Sequence, residues 1–160
     1  MKNLAIVLVT FLFTSCAAFQ PKKIPVKSLE EKLLTVERVS ITLNDILNNN
    51  TKTNTIIQVY ASYCPFSQDS FKDVLKLQQS NININYIFLS VDHSYHDWKR
   101  GLKALKVVGK HYYIPNKGKG EIARFLKLKT IPRFLLIDKK GTIKVFNTSK
   151  VSKIESKLNK

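Results

Sequence analysis

Cysteine is scarce: the 160 residues contain two, Cys16 and Cys64. That excludes a disulfide-rich scaffold and a structural zinc site built mainly of cysteines. Acidic residues are also few, 11 against 27 basic ones, for a formal net charge of +16. Internal repeats and low-complexity blocks are absent. With 44% apolar and 24% charged residues, the chain is neither disordered nor collagen-like. The excess of base raises nucleic acid and anionic membrane as partner classes. Only four of the 27 basic residues are Arg, however, and Asn is abundant, which points to a Lys/Asn-rich composition rather than a phosphate-binding design. No nucleic-acid motif accompanies the charge, and no nucleic-acid partner is expected. The charge is uneven: residues 1–80 hold nine basic and six acidic groups, residues 81–160 eighteen and five. At this length one domain is the natural outcome.

The first residues read as an address. Lys2 supplies a basic start, and Leu4 to Phe13 is almost wholly apolar but too short to span a bilayer comfortably. Thr14, Ser15 and Cys16 follow. The pattern resembles a bacterial lipoprotein signal, cleaved before a cysteine that is then lipid-modified; the rival reading is an ordinary secretory signal. The expected organisation is a signal peptide over 1–15, a lipid-anchored tether over 16–35 and a folded domain over 36–160. A lipid on Cys16 makes Cys64 the only free thiol.

Along the mature chain, Ser28 and Glu31 have capping-box spacing and predict a short helix through Leu34. Val36 to Thr42 alternates as a strand would, and Leu43 to Leu47 predicts a short helix. Thr55 to Ala61 is β-branched and apolar, as suits a buried central strand. From Pro65 the period turns helical, with Phe71, Val74, Leu75 and Leu77 roughly on one face. Ile82 to Val91 predicts a second strand, Tyr95 to Val107 a helix, Gly118 to Gly120 a turn, and Glu121 to Leu126 a short helix. Phe134–Asp138 and Thr142–Phe146 flank Lys139-Lys140-Gly141 as a hairpin, and Val151, Ile154 and Leu158 mark one face of a closing helix. This alternation predicts a three-layer α/β domain whose parallel sheet is completed by an antiparallel hairpin.

Cys64 falls where a buried strand gives way to a helix. Free backbone N–H groups and the positive end of the helix dipole stabilise a thiolate at such a place, and Pro65 suits the first helical turn. Ser62, Ser67 and Gln68 argue against an apolar burial of the thiol. A second signal is Thr130-Ile131-Pro132-Arg133 just ahead of a core strand, where Pro132 is either a cis proline in a tight approach or a simple strand-edge proline.

Together these segments carry a likeness. Val59-Tyr60-Ala61-Ser62-Tyr63-Cys64-Pro65-Phe66-Ser67 resembles the active-site run F-W-A-S-W-C-x-x-C of thioredoxin-fold proteins. Val91-Asp92 before Trp98-Lys99, His111 to Ile114, and Ile131 to Gly141 match the same group. The likeness covers roughly Glu37 to Phe146 and is closest to the TlpA/ResA-type thiol–disulfide oxidoreductases, lipoproteins of Bacteroidetes in particular. It implies a thioredoxin-like fold, a three-layer sandwich with a mixed central sheet, flanking helices and a C-terminal antiparallel hairpin. It also implies a periplasmic or cell-surface location and a cis Pro132 beside the thiol, helping to hold a partner's backbone.

One departure governs the function. Ser67 stands where the family has its second cysteine, so no internal disulfide forms and no resolving thiol is present. Three readings remain: thiol–disulfide exchange through Cys64 with an external thiol as resolver, a redox-inactive binding module, and a one-Cys peroxidase. The last lacks the P-x-x-x-T-x-x-C pattern, since Ala61 stands three residues before Cys64. In the exchange reading Cys64, Ser67 and Pro132 carry the chemistry, with Ser67 donating a hydrogen bond to the thiolate. Tyr63, Pro65, Phe66, Ile131 and Arg133 contact the partner. Partners are then protein thiols or disulfides of the cell envelope and, through the lipid on Cys16, the membrane. A monomer is expected, with no cofactor and no metal: His93 and His96 read as surface residues, His111 is distant, and Asp97 reads as a helix-start residue rather than half of a carboxylate pair with Asp92. Lys117, Lys119, Lys127, Lys129 and Arg133 would raise the potential near the thiol and favour acidic partners.

Overall fold

The computed structural model describes residues 20–49, 54–80 and 83–158. The signal peptide expected over 1–15 and the lipidation expected at Cys16 lie outside them. Asn54–Tyr60 forms β3, the strand predicted from its β-branched run. It pairs in parallel with β4 (Ile84–Ser90) and antiparallel with β6 (Arg133–Asp138). Two edges extend this centre. On one side β5 (Lys110–Tyr113) joins β4 in parallel, and the antiparallel pair β1 (Lys32–Leu34) and β2 (Ser40–Thr42) follows. On the other, β7 (Ile143–Thr148) closes the hairpin with β6. The sheet thus runs β2-β1-β5-β4-β3-β6-β7.

Side chains alternate across β3, which is buried on both faces. Ile56 and Tyr60 face one core with residues of α3 (Pro65–Ser80), α4 (Tyr95–Leu102) and α6 (Val151–Leu158), among them Val74, Trp98 and Ile154. Ile57 and Val59 face the other with α1 (Val26–Leu29), α2 (Leu43–Asn48) and α5 (Glu121–Phe125), through Leu29, Ile46 and Ile122. The three-layer sandwich with its mixed sheet and C-terminal hairpin is therefore as predicted.

Several local expectations differ. Ser28 and Glu31 form no capping box; Ser28 Oγ donates to the Glu121 carbonyl at 3.1 Å and Glu31 Oε2 accepts from Ile122 N–H at 2.6 Å. Their polarity serves α5 across the fold, and Lys32–Leu34 is a strand. Ile24 is buried and Lys22 C=O accepts from Ile143 N–H at 2.8 Å, so much of the segment expected as tether belongs to the folded body. In the stretch expected as a strand from Val36, Thr35–Val39 is a turn with Arg38 at φ 64°, and only Ser40–Thr42 pairs. Helix α4 ends at Leu102 rather than Val107. Strand β5 was not predicted.

β5 also places a partly buried histidine against the core. The His111 ring stacks on Phe88 with centroids 4.5 Å apart, and burial lowers its pKa from 6.5 to about 4. The unfolded chain therefore binds this proton first as pH falls. Its share of stability is complete above about pH 7, is lost through the interval down to about 4, and is on the order of 2 kcal/mol. Denaturant midpoints at pH 7 and pH 4 should show His111→Phe losing less stability across that interval than the parent; equal losses would contradict this assignment.

Candidate active site around Cys64

Where β3 ends, Val91 N–H donates to the Tyr60 carbonyl at 2.8 Å and holds the ends of β3 and β4 together. The chain then turns: Cys64 N–H reaches the Ala61 carbonyl at 3.2 Å, and the Cys64 carbonyl accepts the first helical bond, from Gln68 N–H at 3.0 Å. Cys64 thus sits directly ahead of α3, with Pro65 at a position whose missing N–H leaves no acceptor unpaired. The thiol is free and half-buried.

A buried carboxylate holds this turn. Asp92 is fully buried and accepts from Ser62 N–H at 3.0 and 3.1 Å, from Ser62 Oγ at 2.7 Å and from Ser90 Oγ at 2.5 Å. From the other side Gln68 Nε2 donates to the Ser62 carbonyl at 2.9 Å. Gly101 of α4 lies against Ser62, and a Cβ there would meet Ser62 Oγ at 2.3 Å. Only a glycine lets the helix pack so close. Asp92 matters more than its pairing with Asp97 suggested. Asp97 is held below the usual carboxylate range chiefly by the Ser94 hydroxyl at the start of α4, matching its expected place at a helix start.

Ser67 is fully buried beneath the turn. Its Oγ accepts from Ala61 N–H at 3.4 Å, and its carbonyl accepts from Ser70 Oγ at 2.7 Å. Gln58 Nε2 donates to Ser70 Oγ at 2.9 Å. The hydrogen bond expected from Ser67 to the Cys64 sulfur is not among these. Three residues into the helical turn, the side chain points back to the loop backbone rather than out to the thiol.

The second element is the turn before β6. Val59 faces Arg133 in the ladder, which puts Ile131 and Pro132 level with the end of β3. The Ile131–Pro132 peptide is cis. Arg133 folds back on its own turn, donating from Nη1 to the Pro132 carbonyl at 3.3 Å and from Nη2 to Thr130 Oγ1. A groove of about 500 Å³ runs between α3 and this turn, lined by Phe66, Asp69, Asp73, Ile131, Pro132 and Arg133. Phe66 is 75% exposed at its rim. Tyr63 is not part of it; its ring stacks on His93, centroids 4.4 Å apart. The partner-contacting residues expected from sequence thus split, with Phe66, Ile131 and Arg133 lining the groove and Tyr63 and Pro65 outside its lining. His96 meets Arg38 Nη2 at 3.2 Å, and no group of three His, Cys, Asp or Glu is placed to hold a metal among the described residues. Lys117 and Lys119 lie in a single turn after β5, while Lys127 and Lys129 precede Thr130; all four are exposed.

Solved structures with the same architecture come from several bacteria. A thiol-disulfide oxidoreductase from Bacteroides fragilis superposes with a TM-score of 0.65 at 14% identity, over 84% of this chain and 98% of that one. The thioredoxin domain of a thiol-disulfide oxidoreductase from Bacteroides vulgatus gives 0.63 at 14% identity over 86% and 98%. A secreted disulfide oxidoreductase of Mycobacterium tuberculosis, homologous to E. coli DsbE, gives 0.63 at 10% over 84% and 98%. At such identities these likenesses concern the fold. No curated protein matches the chain by sequence. The family model described as Thioredoxin-like matches residues 53–143, from the start of β3 to the start of β7, and the chain belongs to that thioredoxin-like family.

Proposed function

We propose that the protein is a monothiol thioredoxin-like exchanger of the cell envelope, acting through Cys64. The observation that supports it most is the placement of a half-exposed free thiol at the start of α3, just beyond the end of β3 that Pro132 flanks, with a buried serine where a resolving thiol would stand. The Cys64 thiolate attacks one sulfur of a partner disulfide. A Cys64–partner S–S bond forms as the partner's own S–S bond breaks, and the departing sulfur takes up a proton. An external thiolate then attacks the partner sulfur of the mixed disulfide; a partner–external S–S bond forms as the Cys64–partner bond breaks, and Cys64 leaves as the thiolate. The groove between Phe66 and Pro132 receives the partner segment. A lipid on Cys16 keeps the domain at a periplasmic or cell-surface membrane; among the described residues no helix is long and apolar enough to cross one. The neighbours described as thiol-disulfide oxidoreductases support the same activity.

The test is a non-reducing gel of cells expressing the tagged full chain after thiols are blocked with acid and alkylating agent. A discrete mixed-disulfide band that vanishes on reduction and in Cys64→Ser is the expected result. No Cys64-dependent band in oxidising or reducing media would favour a redox-inactive binding module.

A further inference from the structure

We propose that the β7–α6 edge of the domain is an electrostatic docking face for an anionic lipid surface. The chain enters the described fold here: Gln20 lies in a hollow of about 450 Å³ with Lys144, Lys153 and Lys157, and Lys22 is hydrogen-bonded to Ile143. Beside it a second hollow is bordered by Lys23, Lys139 and Lys140 at the hairpin tip. All seven lysines of this face (22, 23, 139, 140, 144, 153 and 157) are exposed. Among the described residues only Lys144 has a carboxylate partner, Asp138 at 3.1 Å. Cys64, Phe66 and Pro132 border neither hollow.

Sequence distance supplies the occupant. Cys16 is four residues before Gln20. Four residues span at most about 14 Å. A lipid on Cys16 therefore holds this face close to the headgroups, near enough for its charge to act through a screening length of about 8 Å. The face rests on the lipid reading of Cys16, and its action would be to fix which side of the domain meets the membrane while leaving Cys64 and the groove between Phe66 and Pro132 to partners.

The test uses the mature chain from residue 16 carrying Cys16→Ser, so that neither the apolar signal segment nor an acyl group contributes. Partition onto phosphatidylcholine vesicles with and without about 30% phosphatidylglycerol is measured at about 0.15 and 0.5 M salt. Binding should need the anionic lipid and fall with salt. Reversal of Lys139, Lys140, Lys153 and Lys157 to Glu should lower it about tenfold or more, while the charge-matched reversal of Lys117, Lys119, Lys127 and Lys129 should change it less than about threefold. Equal losses from both sets, or no preference for anionic vesicles, would overturn the docking face. So would tighter binding of a DNA duplex than of vesicles through the same lysines. An unchanged denaturant midpoint in both sets shows that the fold is intact, and the Cys64 mixed-disulfide band reads the exchange proposal separately. The lipid reading has its own readout, loss of the protein from cell membranes in Cys16→Ser.

Discussion

Ser67→Cys is expected to change the outcome of the reaction rather than its first step. Residues three apart at a helix start have Cα atoms about 5 Å apart, inside the Cα range that a disulfide spans. The Ser67 position is fully buried, so the new thiol is shielded from solvent and from partners, and Cys64 still makes the first attack. The new thiolate then attacks the Cys64 sulfur of the mixed disulfide. An intramolecular S–S bond forms, and the partner leaves as a thiol. The band seen with the parent should fall about tenfold or more, and both thiols of the oxidised variant should resist alkylation until a reductant is added. Weakening the Ala61 N–H bond to the side chain costs about 1 kcal/mol, too little to unfold a domain of this size. Undiminished mixed disulfide in a folded S67C protein would show that the side chain at position 67 does not reach the thiol.

Asp92→Ala should have the largest effect on stability. It removes the fully buried acceptor for Ser62 N–H, Ser62 Oγ and Ser90 Oγ. Stranding these donors costs on the order of 4 kcal/mol by denaturant titration. Asp92→Asn keeps one carbonyl oxygen and should lose about half as much. In the folded fraction of either variant the Ser62–Cys64 turn loses its anchor, and exchange at Cys64 should slow about tenfold. A variant as stable as the parent would remove Asp92 from the account; a destabilised variant with unaltered exchange would make it structural only.

The residues that carry chemistry were legible because local signals agreed there. The β-branched run before Ser62 and the proline at position 65 mark a strand end and a helix start on either side of Cys64, and Thr130-Ile131-Pro132 marks the turn that the β3–β6 ladder sets beside the end of β3. What was hidden depends on contacts between distant residues. Ser28 and Glu31 have the spacing of a helix cap but bind α5, more than 90 positions away. Strand β5 has only four residues and rests on its pairing with β4 and β1 rather than on its own pattern. The role of Asp92 follows from Ser62, 30 positions earlier, and from the close approach that Gly101 permits.

The most direct measurement follows the full chain carrying Cys16→Ser, in which Cys64 is the sole thiol, through a single encounter with a peptide disulfide. Mass spectrometry and released thiol are recorded before and after a small monothiol is added. The expected course is one peptide bonded to Cys64 and one thiol released per chain, followed by recovery of the free protein only on adding the monothiol. No adduct at Cys64, or recovery without any added thiol, would contradict the monothiol exchange mechanism.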